Sequence, residues 1–360
     1  MLKYLIMFLN LLETWQSFTF FKKKDNIWKK IKAGKKEGIF VLAPMLDVTD
    51  KPFRDIVSRY RSPDLFFTEF VSVDGLCSRE GRKRLMIMFE KTEHEKKNNN
   101  LIFQIFGSDP KKFKKAVKII KKLNPAGIDI NTGCPDKAVI KQGSGSALMK
   151  DENWEKTKDI FETTRKEAGN IPVSIKTRIG FHKINLDWIK FLLSLKPETL
   201  TIHLRTTKEA SKVDAHWELA QEINRMRNEI SPETILIGNG DIETKEESEK
   251  KIKESGFDGV MIGRGIFHNP ILFSGENFYD LSIEKRFEIM ILHLDLFHEE
   301  FYLGNNRYLK SLSTMKKFLK IYINGFDGAK ELRVKLMEVK TIEEIKNISQ
   351  NFLKKIKNKN

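Results

Sequence analysis

The chain has 360 residues, 40% of them hydrophobic, enough for a large domain plus a smaller one and too ordered in composition for general disorder. Its two cysteines, Cys77 and Cys134, lie far apart with no metal-ligand partner at zinc spacing. That excludes a disulfide scaffold or zinc module, makes a resident metal unexpected, and suits a reducing cytoplasm. The net charge of +16 gathers at the ends: residues 307–360 hold 14 Lys/Arg against 5 Asp/Glu, and residues 1–38 hold 9 against 3. A near-neutral middle with basic ends suggests a catalytic body flanked by surfaces for a polyanion.

Residues 1–21 are apolar, but Asn10, Glu13, Gln16 and Ser17 break the run short of the ~20 apolar residues of a membrane span. No small-residue cleavage site follows, so a signal peptide is not expected either. A misassigned start or a loosely docked helix is the expectation, and residues 1–36 are set apart as an N-terminal extension without assigned order.

Eight β-rich runs then follow one another: 39–44, 65–70, 101–106, 127–131, 172–176, 199–203, 234–238 and 258–262. They are apolar on both faces and most are followed by a helical stretch, as a buried parallel sheet requires. Asp109 before Pro110 reads as an N-cap with proline in the first turn, with Phe113, Ala116, Val117 and Ile120 on one face. Asp151 opens a further helix, which Gly169 and Pro172 close. Eight such units over residues 37–278 match a TIM (β/α)8 barrel. A doubly wound sheet would carry a glycine fingerprint after the first strand, where Leu42–Asp50 stands instead. From residue 279 the pattern changes to helices at 284–303, 307–323, 327–338 and 341–357, a basic C-terminal helical domain spanning 279–360.

In such a barrel the chemistry sits at the C-terminal ends of the strands. Reading those ends gives Met45, Glu69, Gln104, Asn131, Lys176, His203, Asn239 and Gly263. Gly238 and Gly240, then Gly263 and Gly265, follow the seventh and eighth strands, where barrels often hold a phosphate, and Arg264 adds a fixed positive charge. Lys176, ending a strand of buried residue types, calls for an anionic partner such as the N1–O2 edge of a reduced flavin. Gln104 offers an amide to the flavin's imide edge. Cys134 lies in a loop of small residues after the fourth strand, and a thiol near its ordinary pKa is protonated at neutral pH and able to donate a proton. Cys77 is placed at the start of the second helix, without a role.

Taken together these motifs resemble the tRNA-dihydrouridine synthases. The resemblance rests on Ala43-Pro44-Met45 with Thr49 to Arg54, Gln104 to Pro110, Asp129 to Pro135, Lys176 with Arg178, His203 with Thr206, Gly238 to Asp241, and Gly263 to Gly265. It implies FMN contacts at Pro44, Met45, Leu46, Gln104, Lys176, His203, Asn239, Gly240, Asp241, Gly263 and Arg264. It further implies Cys134 as general acid, Asn131 and Arg178 facing uridine or flavin, NADPH as electron source, and tRNA bound by the helical domain; a monomer is the separate expectation. Two positions depart from the family pattern. Leu204 stands where HGRT is usual, adding bulk beside the expected flavin phosphate, and Met45-Leu46 replaces the commoner Met-Ala. Another FMN-dependent barrel reductase of the dihydroorotate or enone type, or a tRNA-binding relative without turnover, are the competing readings.

Overall fold

The computed structural model describes residues 26–303 and 310–357, so the apolar stretch 1–21 and the start of the helix expected at 307–323 lie outside the described residues. Among the described residues nine strands carry the fold: β1 (Ile39–Leu42), β2 (Phe66–Phe67), β3 (Val71–Ser72), β4 (Leu101–Phe106), β5 (Gly127–Asn131), β6 (Val173–Arg178), β7 (Thr199–His203), β8 (Ile235–Asn239) and β9 (Gly259–Ile262). All pair in parallel in the order β1-β9-β8-β7-β6-β5-β4-β2, and a Val41–Leu65 bridge joins the two ends into a barrel. The expected strand at 65–70 is two pieces, both pairing with β4. Thr68, between them, accepts the Gln104 N–H on its hydroxyl at 3.0 Å, diverting a ladder hydrogen bond to a side chain.

Strand alternation sorts the buried residues into two layers. Leu200, Ile202 and Leu204 point outward into a continuous apolar layer beneath the helices. Ile39, Val41, Ala43, Leu65, Phe67, Ile102, Ile235, Ile237 and Met261 fill part of the barrel interior. The remaining interior is polar: Gln104, Asp129, Asn131, Ser174, Thr199 and Thr201 are all buried. The lower end is plugged by a helix, Ile27–Gly34, started by Asn26, whose side chain accepts the Trp28 N–H. Trp28 is fully buried in the interior cluster, so this part of the 1–36 segment belongs to the barrel.

The helices between strands start much as their sequences predict. Asp109 accepts the Lys111 N–H at the start of Pro110–Ile120. Asp151 opens only a 3-10 turn, and the α-helix proper is Trp154–Ala168, ended by Gly169 at φ 65°. Cys77 closes the short helix Val73–Cys77 rather than opening one.

Beyond residue 280 the chain is helical, at Ile283–Tyr302, Leu312–Lys316, Leu319–Tyr322, Ala329–Glu338 and Ile342–Lys357. Ile283–Tyr302 and the segment around Phe318 pack on the first barrel helix, Lys51–Arg61. Phe53 meets Phe318 at 5.0 Å and His293 at 5.6 Å between ring centroids. Lys51 pairs with Glu300 at 2.6 Å, and Lys310 reaches Asp50 at 3.1 Å and Glu69 at 2.8 Å. Glu69, a polar residue at a strand end, therefore anchors the helical segment.

Candidate active site

The C-terminal ends of the strands surround a cavity of about 630 Å³. Of the residues singled out in the sequence, Pro44, Met45, Asn131, Cys134, Lys176, Arg178, His203, Asn239, Gly240, Asp241, Gly263 and Arg264 line it. Two do not. Leu46 is half exposed on the β1 loop, and Gln104 is buried beneath the floor with its amide held by neighbours. Ala43, Phe70, Arg205, Met261 and His268 also line the wall. Arg205 was legible by counting inward in twos along Thr201, His203 and Arg205.

β6 runs on past Lys176 to Arg178, so both side chains enter the barrel from one strand. Register places Arg178 beside His203, His203 beside Asn239, and Asn239 beside Met261, one ring of neighbours around the cavity. Burial lowers Lys176 to about 8, with the Arg178 charge adding to the effect. Its Nζ has one neutral partner, Asn239 Oδ1 at 3.3 Å, and no ion pair among the described residues. A buried ammonium so placed favours an anionic ligand. Arg178 donates to the carbonyls of Gly133 at 2.9 Å, Thr206 at 3.1 Å and Ala210 at 3.2 Å, tying two loops together. Burial lowers it to about 10, and it stays charged at neutral pH.

Burial, then the surrounding Arg178, Lys176, Arg205 and Arg264 charges, push His203 well below its ordinary pKa. The ring is neutral. Arg205 Nη1 lies 3.2 Å from Nε2, and a guanidinium only donates, so Nε2 accepts and the proton sits on Nδ1. Arg205 also pairs with Asp241, whose carboxylate accepts the Ala215 N–H at 2.8 Å and Arg264 Nη2 at 3.3 Å. Burial opposes ionisation of Asp241, but these donors hold it below its ordinary pKa.

Gly240 sits at φ 134°, and a Cβ there would come within 2.6 Å of Ala215 Cβ. Gly263 would meet nothing closer than Ala43 at 3.7 Å, leaving its backbone open to the cavity beside Arg264. Cys134 is buried, and burial raises its thiol above the ordinary value against the nearby Asp136 N–H and the Arg178 and Lys176 charges. The thiol is protonated at neutral pH. The donors present — a buried lysine, an accessible arginine and an open glycine backbone — fit a ligand with an anionic ring edge and a phosphate.

Leu204, whose place in the sequence put it beside this site, is fully buried in the outward apolar layer and absent from the cavity wall. Its side chain therefore adds no bulk to the cavity wall. The alternation that turns His203 inward turns Leu204 away.

Residues 41–358 match the family model described as dihydrouridine synthase (Dus). A protein named probable tRNA-dihydrouridine synthase from Staphylococcus aureus (strain Mu50) is 40% identical over 337 residues, covering 91% of this chain and 96% of its own. Probable tRNA-dihydrouridine synthase 2 from Bacillus subtilis is 38% identical over 333 residues, covering 92% and 98%. Among solved structures, a 2-naphthoyl-CoA reductase complex superposes with a TM-score of 0.51 at 11% identity, over 65% of this chain and 49% of that one. This last similarity establishes a common fold.

Proposed function

Because the chain belongs to the dihydrouridine synthase family, and is thereby an oxidoreductase, we propose that it reduces the C5–C6 double bond of specific uridines in tRNA. FMN is the cofactor in this reading, NADPH its reductant, and Cys134 the proton donor. Pro44, Met45, Lys176, His203, Asn239, Gly240, Asp241, Gly263 and Arg264 would hold FMN, with Lys176 toward the anionic ring edge and Arg264 toward the phosphate, whereas Leu46 and Gln104, which do not line the cavity, would not touch it. When bound, reduced FMN supplies the hydride that adds at uracil C6.

The chain's own residues handle the rest. Negative charge left on the uracil C5–C4–O4 system is stabilised by the charged Arg178 beside the cavity and by the Asn131 amide. The Cys134 S–H bond breaks, its proton forms the new C5–H bond, and the thiolate regains a proton from solvent. The observation that carries this reading is a buried, protonated thiol on the same cavity wall as a buried lysine that makes no ion pair among the described residues.

For tRNA, the helical segment within 279–360 presents exposed Lys317, Lys320, Lys330, Lys335, Lys340, Lys354 and Lys355. Such a surface suits phosphate backbone contacts that weaken with salt. Purified protein should be yellow and release FMN on denaturation. A colourless protein that cannot be reconstituted with FMN would overturn the flavoenzyme reading.

A further inference from the structure

Beneath the cavity floor lies Asp129, a fully buried carboxylate on β5 with no part in the chemistry above. Ser174 Oγ donates to its Oδ1 at 2.6 Å, and Gln104 Nε2 donates to its Oδ2 at 2.7 Å. Gln104 Oε1 in turn accepts from Asn131 Nδ2 at 2.9 Å. Asn131 Oδ1 accepts the backbone N–H of Gly133 at 3.1 Å and of Cys134 at 2.9 Å. The four side chains and the loop form one unbroken line from Ser174 to Cys134.

Each link has a fixed donor: the loop, Asn131 and Gln104 donate in turn toward Asp129, and Ser174 donates to it from the other side. A backbone N–H only donates, so Asn131 must show its oxygen to the loop and its NH2 group to Gln104. Gln104 must then show its oxygen to Asn131 and its NH2 group away from it. An ionised carboxylate only accepts, so Asp129 meets that NH2 group correctly. Flipping either amide sets donors against donors inside the barrel, where an unpaired polar group is costly. We propose that Asp129 is a positioning residue: by accepting from Gln104 it fixes the orientation of both amides and so seats the Cys134 loop at the cavity wall.

The chain also bears on which atoms face the cavity. With Gln104 pinned from both sides, Asn131 alone among the two amides reaches the cavity surface, and its second N–H is the one left to point there. Ser146 N–H donating to the Cys134 carbonyl at 3.1 Å holds the same loop from its other side, so the Asn131 bond sets its inner edge.

The acceptor at position 129 can be separated from its charge. Asp129→Asn can keep an oxygen toward Gln104 and turn its NH2 group to Ser174 Oγ, which is able to accept. Asp129→Leu keeps the branching of the side chain, with two methyl groups in place of the oxygens, and has no acceptor. Alkylation of Cys134 by iodoacetamide in the purified full-length protein, followed by peptide mass spectrometry across pH, reads the seating of the loop without requiring turnover. Cys77, outside the cavity, serves as the internal control.

Asp129→Leu should speed Cys134 alkylation by about fivefold or more, the scale of one lost buried hydrogen bond, with Cys77 unchanged. Asp129→Asn should stay within about twofold of wild type. If Asp129→Leu does not fold, Gln104→Leu breaks the line one link nearer and must give the same acceleration. Asparagine behaving like leucine would assign the effect to charge and overturn the proposal, as would a wild-type Cys134 rate in either leucine variant. A second arm, dihydrouridine formation, rests on the function proposed above and should fall about tenfold in Asp129→Leu and recover in Asp129→Asn. Wild-type protein inactive on tRNA would retire that function and leave the alkylation order standing.

Discussion

Leu204→Ala separates a structural leucine from one that obstructs the cofactor. The side chain is fully buried between β7 and the helices, in line with Leu200 and Ile202. Truncation removes three carbons, roughly 2.4 kcal/mol at ~0.8 kcal/mol each. The cavity left against a closed sheet adds to this, and buried Leu→Ala changes span ~2.7–5 kcal/mol, so a loss of about 3–4 kcal/mol is expected. Because the residue is absent from the cavity wall, FMN affinity should change by less than about twofold. Urea unfolding of the flavin-free protein gives the first quantity and flavin fluorescence titration the second. A stability change below about 1 kcal/mol, together with roughly tenfold tighter FMN binding, would refute the outward placement.

Two other substitutions test the electrostatics. Lys176→Met should weaken FMN binding while leaving the flavin-free protein at least as stable as wild type, because it removes a buried charge that has no ion-pair partner among the described residues; a lower melting temperature without FMN would contradict this. His293 is fully buried against Tyr322, and burial lowers it to about 4, below its unfolded value near 6.5. Between those values the unfolded chain takes up a proton that the folded chain does not, so stability falls as pH drops through that window, by at most about 3 kcal/mol from this group. His293→Gln should flatten that part of the pH–stability curve, and an unchanged acid slope would count against the burial argument.

Much of the barrel could be read from sequence because its strands are apolar on both faces and most are followed by a helical stretch. What escaped was set by contacts between distant residues. The break at Thr68 depends on a hydrogen bond to Gln104, 36 positions away, and no local pattern announces it. Splitting of the helix expected at 307–323 coincides with Phe318 docking on Phe53 across the two parts of the chain. At the site, glycines and charged residues after apolar runs marked the cavity wall well. Gln104 was visible as a polar residue in a strand, but its burial under Asn131 was not, because the partners Asp129 and Ser174 come from neighbouring staves. Leu204 is the opposite case: the two-residue alternation of a strand, counted from Leu200 through Ile202, is enough to turn it outward.

The most direct test of the proposed function is the nucleoside content of a uridine-containing tRNA transcript incubated with the purified protein, FMN and NADPH. Wild-type protein should convert particular uridines to nucleosides heavier by two hydrogens, while Cys134→Ala should keep its FMN and its NADPH oxidation yet form little of that product. Wild-type levels of product from Cys134→Ala would remove the thiol from the mechanism, and no product from flavin-loaded wild-type protein on any tRNA would contradict the function itself.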